Sequence, residues 1–239
     1  MSAPLTDWKV LPHGRLTEVA PNILTVTGTI HMPIGDFPRR MTIVRLRDSR
    51  LVIFNAIALD EEEMREIEAF GDLAWLIVPN AHHRLDAGIW KDRYPSLRVV
   101  TPPAAREKVE DAVPVDAINV DFDDPDVTWI VVPGTHSGES ALRVDGADGT
   151  TLILNDIVGN IRDAHGFSGW LLKLMGFAGD APHVPGPVKL GMGKSKADLA
   201  AQLRAWAALP GLKRIIVSHG ETIEDDPRGA LTALADTLE

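Results

Sequence analysis

The stretch "LAWLIVPNAHHRLDAGIW", residues 73–90, joins an apolar run to a cluster of polar side chains. The run 73–78 is apolar throughout, as expected of a strand that is covered on both faces. Asn80, two histidines, an arginine and an aspartate follow at once, and "AGIW" then starts a helix. Sheet proteins often carry functional side chains in loops at strand ends. The stretch therefore predicts an α/β protein with a functional site at the end of this strand.

The composition limits the architecture and the chemistry. The chain has 239 residues, of which 45% are hydrophobic, and this suits a single domain over residues 1–239. It contains no cysteine, which excludes disulfides, thiolate ligands and thiolate nucleophiles. Any metal ion must therefore be held by histidine and carboxylate.

The charge and the N-terminal segment indicate the class of partner. The net charge is −10 and the sequence pI is near 5.2, which argues against binding a phosphate backbone. The segment "MSAPLTDWKV" does not pair a basic stretch with an apolar one, and no window approaches the roughly 18 apolar residues of a membrane helix. We expect a cytoplasmic protein with a small-molecule substrate and with no nucleic-acid or membrane partner. A homodimer is compatible with the sequence.

The apolar pattern predicts two regions of strands with helices between and after them. Residues 19–28, 41–46 and 51–54 are typical of antiparallel strands, and Asp60 is placed to cap the helix that follows. Strands and helices then alternate as far as residue 112, and a strand meander follows from residue 127. The order predicts α/β layer packing.

The last third contains a segment, 160–194, that we interpret as a lid or an insertion. Glycines and prolines interrupt it, and residues 166–179 within it are strongly apolar and include Trp170. This apolar piece is open to interpretation as a lid, a helix of the core or an interface. Ser195 then caps a helix, a strand ends just before His219, and a helix closes the chain.

Four potential metal ligands each follow the apolar run of a strand. They are His82, His136, Asp156 and His219. Because strand ends gather at one edge of a sheet, these side chains are expected to converge. His83 is expected to point elsewhere if its segment is extended, since neighbouring side chains in a strand face opposite sides.

The order of these landmarks resembles that of the metallo-β-lactamase superfamily over nearly the whole chain. The landmarks are "EVAPNILTVTG", "FNA", "PNAHHRLDAG", "PGTHSGES", "LILND" and "VSHG". The stretch 57–104 looks still more like one divergent, poorly characterised branch, in which an asparagine and paired histidines replace the usual motif. The resemblance implies a four-layer αββα sandwich with a metal site at one edge of its two sheets.

The first superfamily motif, His-x-His-x-Asp-His, is degenerate in this chain. Aligned on Ala87 and Gly88, the motif retains only His82; Asn80, Arg84 and Leu85 stand at its other ligand places. An arginine offers only donors and a leucine offers no lone pair, so a standard two-metal site is rejected.

The later landmarks of the superfamily match this chain more closely than the first motif does. Asp156 matches the bridging aspartate and His219 the last histidine. In the superfamily, a ligand normally follows a Pro-Gly pair. In this chain that position is Thr135, and His136 lies one place later. A shift of one residue in an extended segment turns the side chain to the other face.

Two arrangements of the site follow. In the first, one zinc, iron or manganese ion is held by His82, Asp156 and His219, with water or His136 as the fourth ligand. Asp156 and His82 would then be catalytic, in a hydrolase for a small ester, thioester, lactone or phosphoester. In the second, Arg84 pairs with Asp156 in place of an ion, and the protein binds a small molecule without catalysis. The residues expected to contact a substrate are Asn80, His83, Arg84 and Trp170.

Overall fold

The computed structural model describes residues 3–32, 35–162, 173, 178–186, 188–189 and 195–239. Ten strands form two sheets in this part of the chain, and helices pack on both. The mixed α/β fold class predicted from the sequence is confirmed.

The first sheet contains six strands in the order of the chain, β1 to β6. Their bounds are Thr17–Ala20, Ile23–Met32, Gly35–Arg45, Arg50–Phe54, Asp72–Ile77 and Arg98–Val100. β1 to β4 pair in antiparallel fashion, whereas β5 is parallel to both β4 and β6. The parallel pairs need crossover connections, which helices α1 (Glu61–Phe70) and α2 (Ala87–Arg93) provide.

The second sheet has the strand order β10-β9-β8-β7. β7 spans Val127–Val131, β8 Ser140–Gly146, β9 Gly149–Leu154 and β10 Leu212–Val217. Along the chain, β6 is followed by a 3-10 turn, Pro103–Ala105, and by helix α3, Arg106–Glu110, before β7 begins. Helix α4, Lys196–Ala207, precedes β10, and helix α5, Pro227–Asp236, follows it. β10 is parallel to β9, and the other pairs are antiparallel.

Strand periodicity divides the apolar residues into three layers. In β4, Val52 and Phe54 belong to a cluster that lies between the two sheets, while Leu51 and Ile53 face the cluster formed with the helices. In β10, Ile216 joins the middle cluster and its neighbours pack under α4 and α5. Side chains alternate across a strand, so sheets buried on both faces read as continuous apolar runs. The result is an αββα sandwich.

Two local expectations differ from the structure. Residues 19–28 were expected to form one strand, but Pro21 and Asn22 form a tight turn between β1 and β2. Proline cannot donate to a ladder, and a two-residue turn suits a hairpin. Asp60 stands before α1 as expected, yet its side chain makes no cap hydrogen bond; its backbone N–H donates to His13.

Most of the expected lid lies outside the described residues, including Trp170. None of the helices in the described part of the chain combines the length and the apolar character needed to cross a membrane.

Candidate metal centre

The loops after β5, β9 and β10 bring three potential metal ligands together. They are His83, Asp156 and His219. The Nε2 atoms of the two histidines each lie 3.0 Å from Oδ1 of Asp156, and they lie 3.2 Å from each other. One carboxylate oxygen and two imidazole nitrogens thus face a common point.

The hydrogen-bond partners of Nδ1 indicate which nitrogen carries the hydrogen in the neutral rings of His83 and His219. The amide of Asn55 donates to the carbonyl oxygen of Arg40 at 2.7 Å, so its Oδ1 faces Nδ1 of His83 at 2.9 Å. Nδ1 of His219 lies 2.7 Å from the carbonyl oxygen of Pro38. Oxygen acceptors require an N–H at each Nδ1. Each Nε2 therefore carries the lone pair when its ring is neutral and donates to Asp156 when its ring is protonated.

Asn80 shapes the loop that presents His83. Its Oδ1 accepts the backbone N–H groups of His82 and His83, at 2.7 and 3.1 Å. An asparagine that bonds the backbone two and three residues ahead forms a turn in place of extended chain. The turn removes the strand alternation from which His83 was expected to point elsewhere. It directs His83 into the site.

Burial and charge set the protonation of the three groups. Burial lowers the pKa of His83, although the charge of Asp156 opposes this. Burial would raise the pKa of Asp156, but the charges and hydrogen bonds of His83 and His219 outweigh it and hold that pKa well below its usual range. A neutral imidazole and an ionised carboxylate are the forms that bind metals.

A buried carboxyl group, that of Glu139, lies behind the site. Glu139 receives hydrogen bonds from the side-chain amides of Asn80 and Asn155 and from the backbone N–H of Asp156. Burial, and then the negative charge of Asp156, raise the pKa of Glu139 well above its usual range. No positively charged side chain in the described chain forms an ion pair with it. The site is thus supported by a polar network.

His82, which we expected to be a ligand and a catalytic residue, lies outside the group of ligand atoms. Its side chain is exposed, and His83 occupies the place beside Asp156 and His219. The turn at Asn80 is the physical reason for this correction.

His136, the expected fourth ligand, also lies outside the group. His136 and Ser137 both have positive φ values, 52° and 59°, which reverse the chain, and both residues are exposed. The turn after the Pro-Gly pair does not re-aim this imidazole toward Asp156.

The expected ion pair between Arg84 and Asp156 is not formed. Nη1 of Arg84 lies 3.7 Å from Oδ2 of Asp111. The ion-pair contacts of Asp156 within the described residues are those with His83 and His219. Asp111 follows α3, so the arginine is drawn away from the site.

The residues expected to contact a substrate are distributed differently. Asn80 is 3% exposed and lies within the polar network, and His83 lies in the ligand group. Arg84 points to Asp111, and Trp170 lies outside the described residues.

Sequence reasoning missed three supports of the site: Asn55, Pro38 and Glu139. Asn55 had a readable signal, because it directly follows the apolar run 51–54, as the candidate ligands follow theirs. Pro38 acts through a carbonyl oxygen and Glu139 through tertiary contacts, and neither has a signature in sequence.

A second histidine and carboxylate group, His13, Asp60 and Glu63, lies at the start of α1. Nδ1 of His13 contacts the carbonyl oxygen of Gly14 at 2.7 Å, and Nε2 accepts the backbone N–H of Asp60 at 3.3 Å. Both ring nitrogens therefore have structural partners. His13 thus accepts a backbone N–H at the start of α1.

Comparisons with known proteins identify the fold. Neither models of protein families nor curated protein sequences match the chain. Among solved structures, the metallo-β-lactamase FIM-1 from Pseudomonas aeruginosa in its mono-zinc form is similar, with 14% identity and a TM-score of 0.60, over 96% of this chain and 97% of that one.

Two further structures agree over similar lengths. The metallo-β-lactamase DIM-1 exposed to ceftazidime has 15% identity and a TM-score of 0.64, over 97% of this chain and 100% of that one. A metallo-β-lactamase from Hirschia baltica has 13% identity and a TM-score of 0.60, over 94% and 98%. At such identities the likeness establishes the architecture alone. Together with the two sheets and their outer helices, it shows that this chain has the metallo-β-lactamase fold.

Proposed function

We propose that the protein is a hydrolase with a single divalent metal ion, held by Nε2 of His83, Oδ1 of Asp156 and Nε2 of His219. The observation that carries this proposal is the convergence of these three ligand atoms, which lie within 3.2 Å of one another. The Nδ1 contacts of both rings leave their Nε2 atoms facing the carboxylate. A metal ion at their common point would take the place of protons on Nε2.

The distances fit a metal ion. Nitrogen and oxygen ligands about 2.1 Å from one ion are about 3.0 to 3.4 Å apart when they occupy neighbouring positions. The three separations in the site are 3.0, 3.0 and 3.2 Å. Two imidazoles and one carboxylate suit zinc, iron or manganese.

The surroundings have the form that supports metal ligands. Histidine ligands commonly donate their second N–H to a carbonyl, amide or carboxylate oxygen, which fixes the ring and its tautomer. Asn55 and the carbonyl of Pro38 provide these acceptors for His83 and His219. Asp156 is fixed by a 2.7 Å hydrogen bond from Asn80 to its second oxygen.

The chemistry that follows is hydrolysis. A bound divalent ion lowers the pKa of a coordinated water toward neutrality and polarises a carbonyl or phosphoryl oxygen. Burial lowers the pKa of His83, and the two histidines hold the pKa of Asp156 well below its usual range, which are the directions that favour the metal-binding forms. Three protein ligands leave coordination positions for water and substrate, which distinguishes a catalytic site from a closed structural one. We infer a small ester, thioester, lactone or phosphoester as the substrate.

The alternative, a metal-free binding protein, lacks its expected cation. Arg84 was to balance Asp156, but its guanidinium lies at Asp111. The similar solved structures are metallo-β-lactamases, one of them in a mono-zinc form, and this likeness of fold favours the single-ion hydrolase.

Metal analysis with matched variants tests the proposal. Purified protein is dialysed against zinc or manganese, freed of excess ion and measured by mass spectrometry, and activity is assayed with nitrophenyl acetate, a thioester, a lactone and a phosphodiester. Wild type and His82→Ala should retain one ion per chain, and His83→Ala and His219→Ala should lose it together with any hydrolysis. A wild-type protein without bound ion, or equal retention by His82→Ala and His83→Ala, would reject the assignment.

A further inference from the structure

The two oxygens of Asp156 have different surroundings. Oδ1 faces the two imidazoles, whereas Oδ2 accepts a hydrogen bond of 2.7 Å from Nδ2 of Asn80. The second hydrogen of the same amide goes to Glu139. Its Oδ1 accepts two backbone N–H groups, so every hydrogen-bonding position of the Asn80 side chain is used.

We propose, on the basis of the single-ion function above, that Asn80 is a positioning residue that reserves only Oδ1 of Asp156 for the metal, and that Glu139 sets the orientation of the Asn80 amide. A donor on Oδ2 occupies one of the two lone pairs of that oxygen and so disfavours a chelating or bridging carboxylate. The carboxylate then binds through one oxygen, in a fixed plane.

Glu139 adds to the groups that hold the Asn80 amide in one orientation, because an asparagine amide can turn over. If the amide of Asn80 turned, its oxygen would face both Asp156 and Glu139, and its NH₂ group would face two backbone N–H donors. Glu139 is buried, and its other oxygen receives the amide of Asn155 at 3.1 Å. Its acceptor oxygens thus keep the NH₂ group of Asn80 on the Asp156 side.

The same amide couples two of the three ligands. Asn80 holds the turn that presents His83 and also holds the carboxylate of Asp156. These ligands come from different sheets, so one side chain sets their relative position. Removing an outer partner of this kind typically weakens metal binding about 10- to 100-fold.

Metal affinity in variants of the network tests this role. Asn80→Ala removes the donor, and Glu139→Ala removes both acceptor oxygens of the carboxyl group. Ser140→Ala is the matched control, since Ser140 Oγ is buried at the same junction and donates to the carbonyl oxygen of Pro79 at 3.3 Å. The control changes the stability of the junction and leaves the Asn80–Asp156 bond in place.

Zinc affinity is measured by competition with a chromophoric chelator, and cobalt(II)-loaded protein is measured by visible absorption. Asn80→Ala and Glu139→Ala should bind zinc about 10- to 100-fold more weakly than Ser140→Ala. Their cobalt spectra should weaken as the carboxylate chelates and the coordination number rises. If Asn80→Ala does not fold, Glu139→Ala carries the test alone.

The outcomes separate this inference from the proposed function. Zinc affinities and cobalt spectra of the network variants equal to those of Ser140→Ala would overturn the positioning role, and a wild type that binds zinc would leave the hydrolase proposal standing. A wild type that binds no zinc would overturn both.

Discussion

The buried ion pair between Arg39 and Asp86 should be among the most destabilising sites to perturb in this protein. The two side chains are 5% and 0% exposed, and their second contact, Nη2 to Oδ1, is 3.5 Å long. Oδ1 of Asp86 also accepts the backbone N–H of Ala58 at 3.0 Å. The pair thus ties β3 to the start of α2.

The substitution Asp86→Asn isolates the charge from the hydrogen bond. Asparagine keeps an acceptor for Ala58 but leaves the guanidinium of Arg39 buried without an anion. Breaking a buried pair in this way destabilises a protein by about 3 to 5 kcal/mol. Domains are typically stable by about 5 to 15 kcal/mol, so about a fifth or more of the free energy of unfolding is at stake.

Urea denaturation of the metal-free protein measures this change without adding salt. Asp236→Asn is the control, because its partner Arg204 is 41% exposed and Asp236 itself is 60% exposed. Exposed pairs contribute about 0 to 1 kcal/mol. The double variant Arg39→Met with Asp86→Asn should recover part of the loss, since no buried charge remains. A loss in Asp86→Asn no greater than in Asp236→Asn would refute the reasoning.

Three further substitutions have defined outcomes. Asn55→Ala removes the acceptor for Nδ1 of His83 and should weaken zinc binding about 10- to 100-fold in a chelator competition. Gly220→Ala should lower the melting temperature and the retained metal together, because Gly220 has a φ of 106° and an added Cβ would lie 2.1 Å from the carbonyl oxygen of Asn160. Arg84→Ala should change the free energy of unfolding in urea by less than about 1 kcal/mol and leave metal content unchanged. The reason is that its ion pair with Asp111 is 3.7 Å long and the Asp111 side chain is 52% exposed.

The architecture was predictable because strands that are buried on both faces appear in the sequence as continuous apolar runs. Runs such as 51–54 and 73–78 are apolar on both faces, and the structure shows sheets covered on both sides. The turn at Pro21 and Asn22 was missed because the flanking residues share one β-rich pattern. Apolar periodicity identifies the strand but does not show where it folds back.

The site was less predictable because side-chain hydrogen bonds control its loops. The superfamily motif and the end of the apolar run placed His82 at a ligand position, and strand alternation directed His83 elsewhere. Asn80 replaces the extended backbone with a turn, and His83 lies in the ligand group. The expected pair of Arg84 with Asp156 required knowing that Asp111, distant in sequence, lies within reach. The first difference arises from a local side-chain turn that apolar periodicity does not show, and the second from a contact that is distant in sequence.

The position of the site across the two sheets links metal binding to stability. His219 follows β10 in the second sheet, yet its ring donates to the carbonyl of Pro38 in β3 of the first. Arg40 of β3 donates to the carbonyl of Gly220 at 2.9 Å, and His83 reaches Asp156 from the opposite sheet. An ion held here would join both sheets, and a ligand that binds only the folded state stabilises it by about 2.7 kcal/mol at a hundred times its dissociation constant. Metal should therefore raise the melting temperature of wild type and leave that of His219→Ala unchanged, whereas an equal rise in both would place the ion elsewhere.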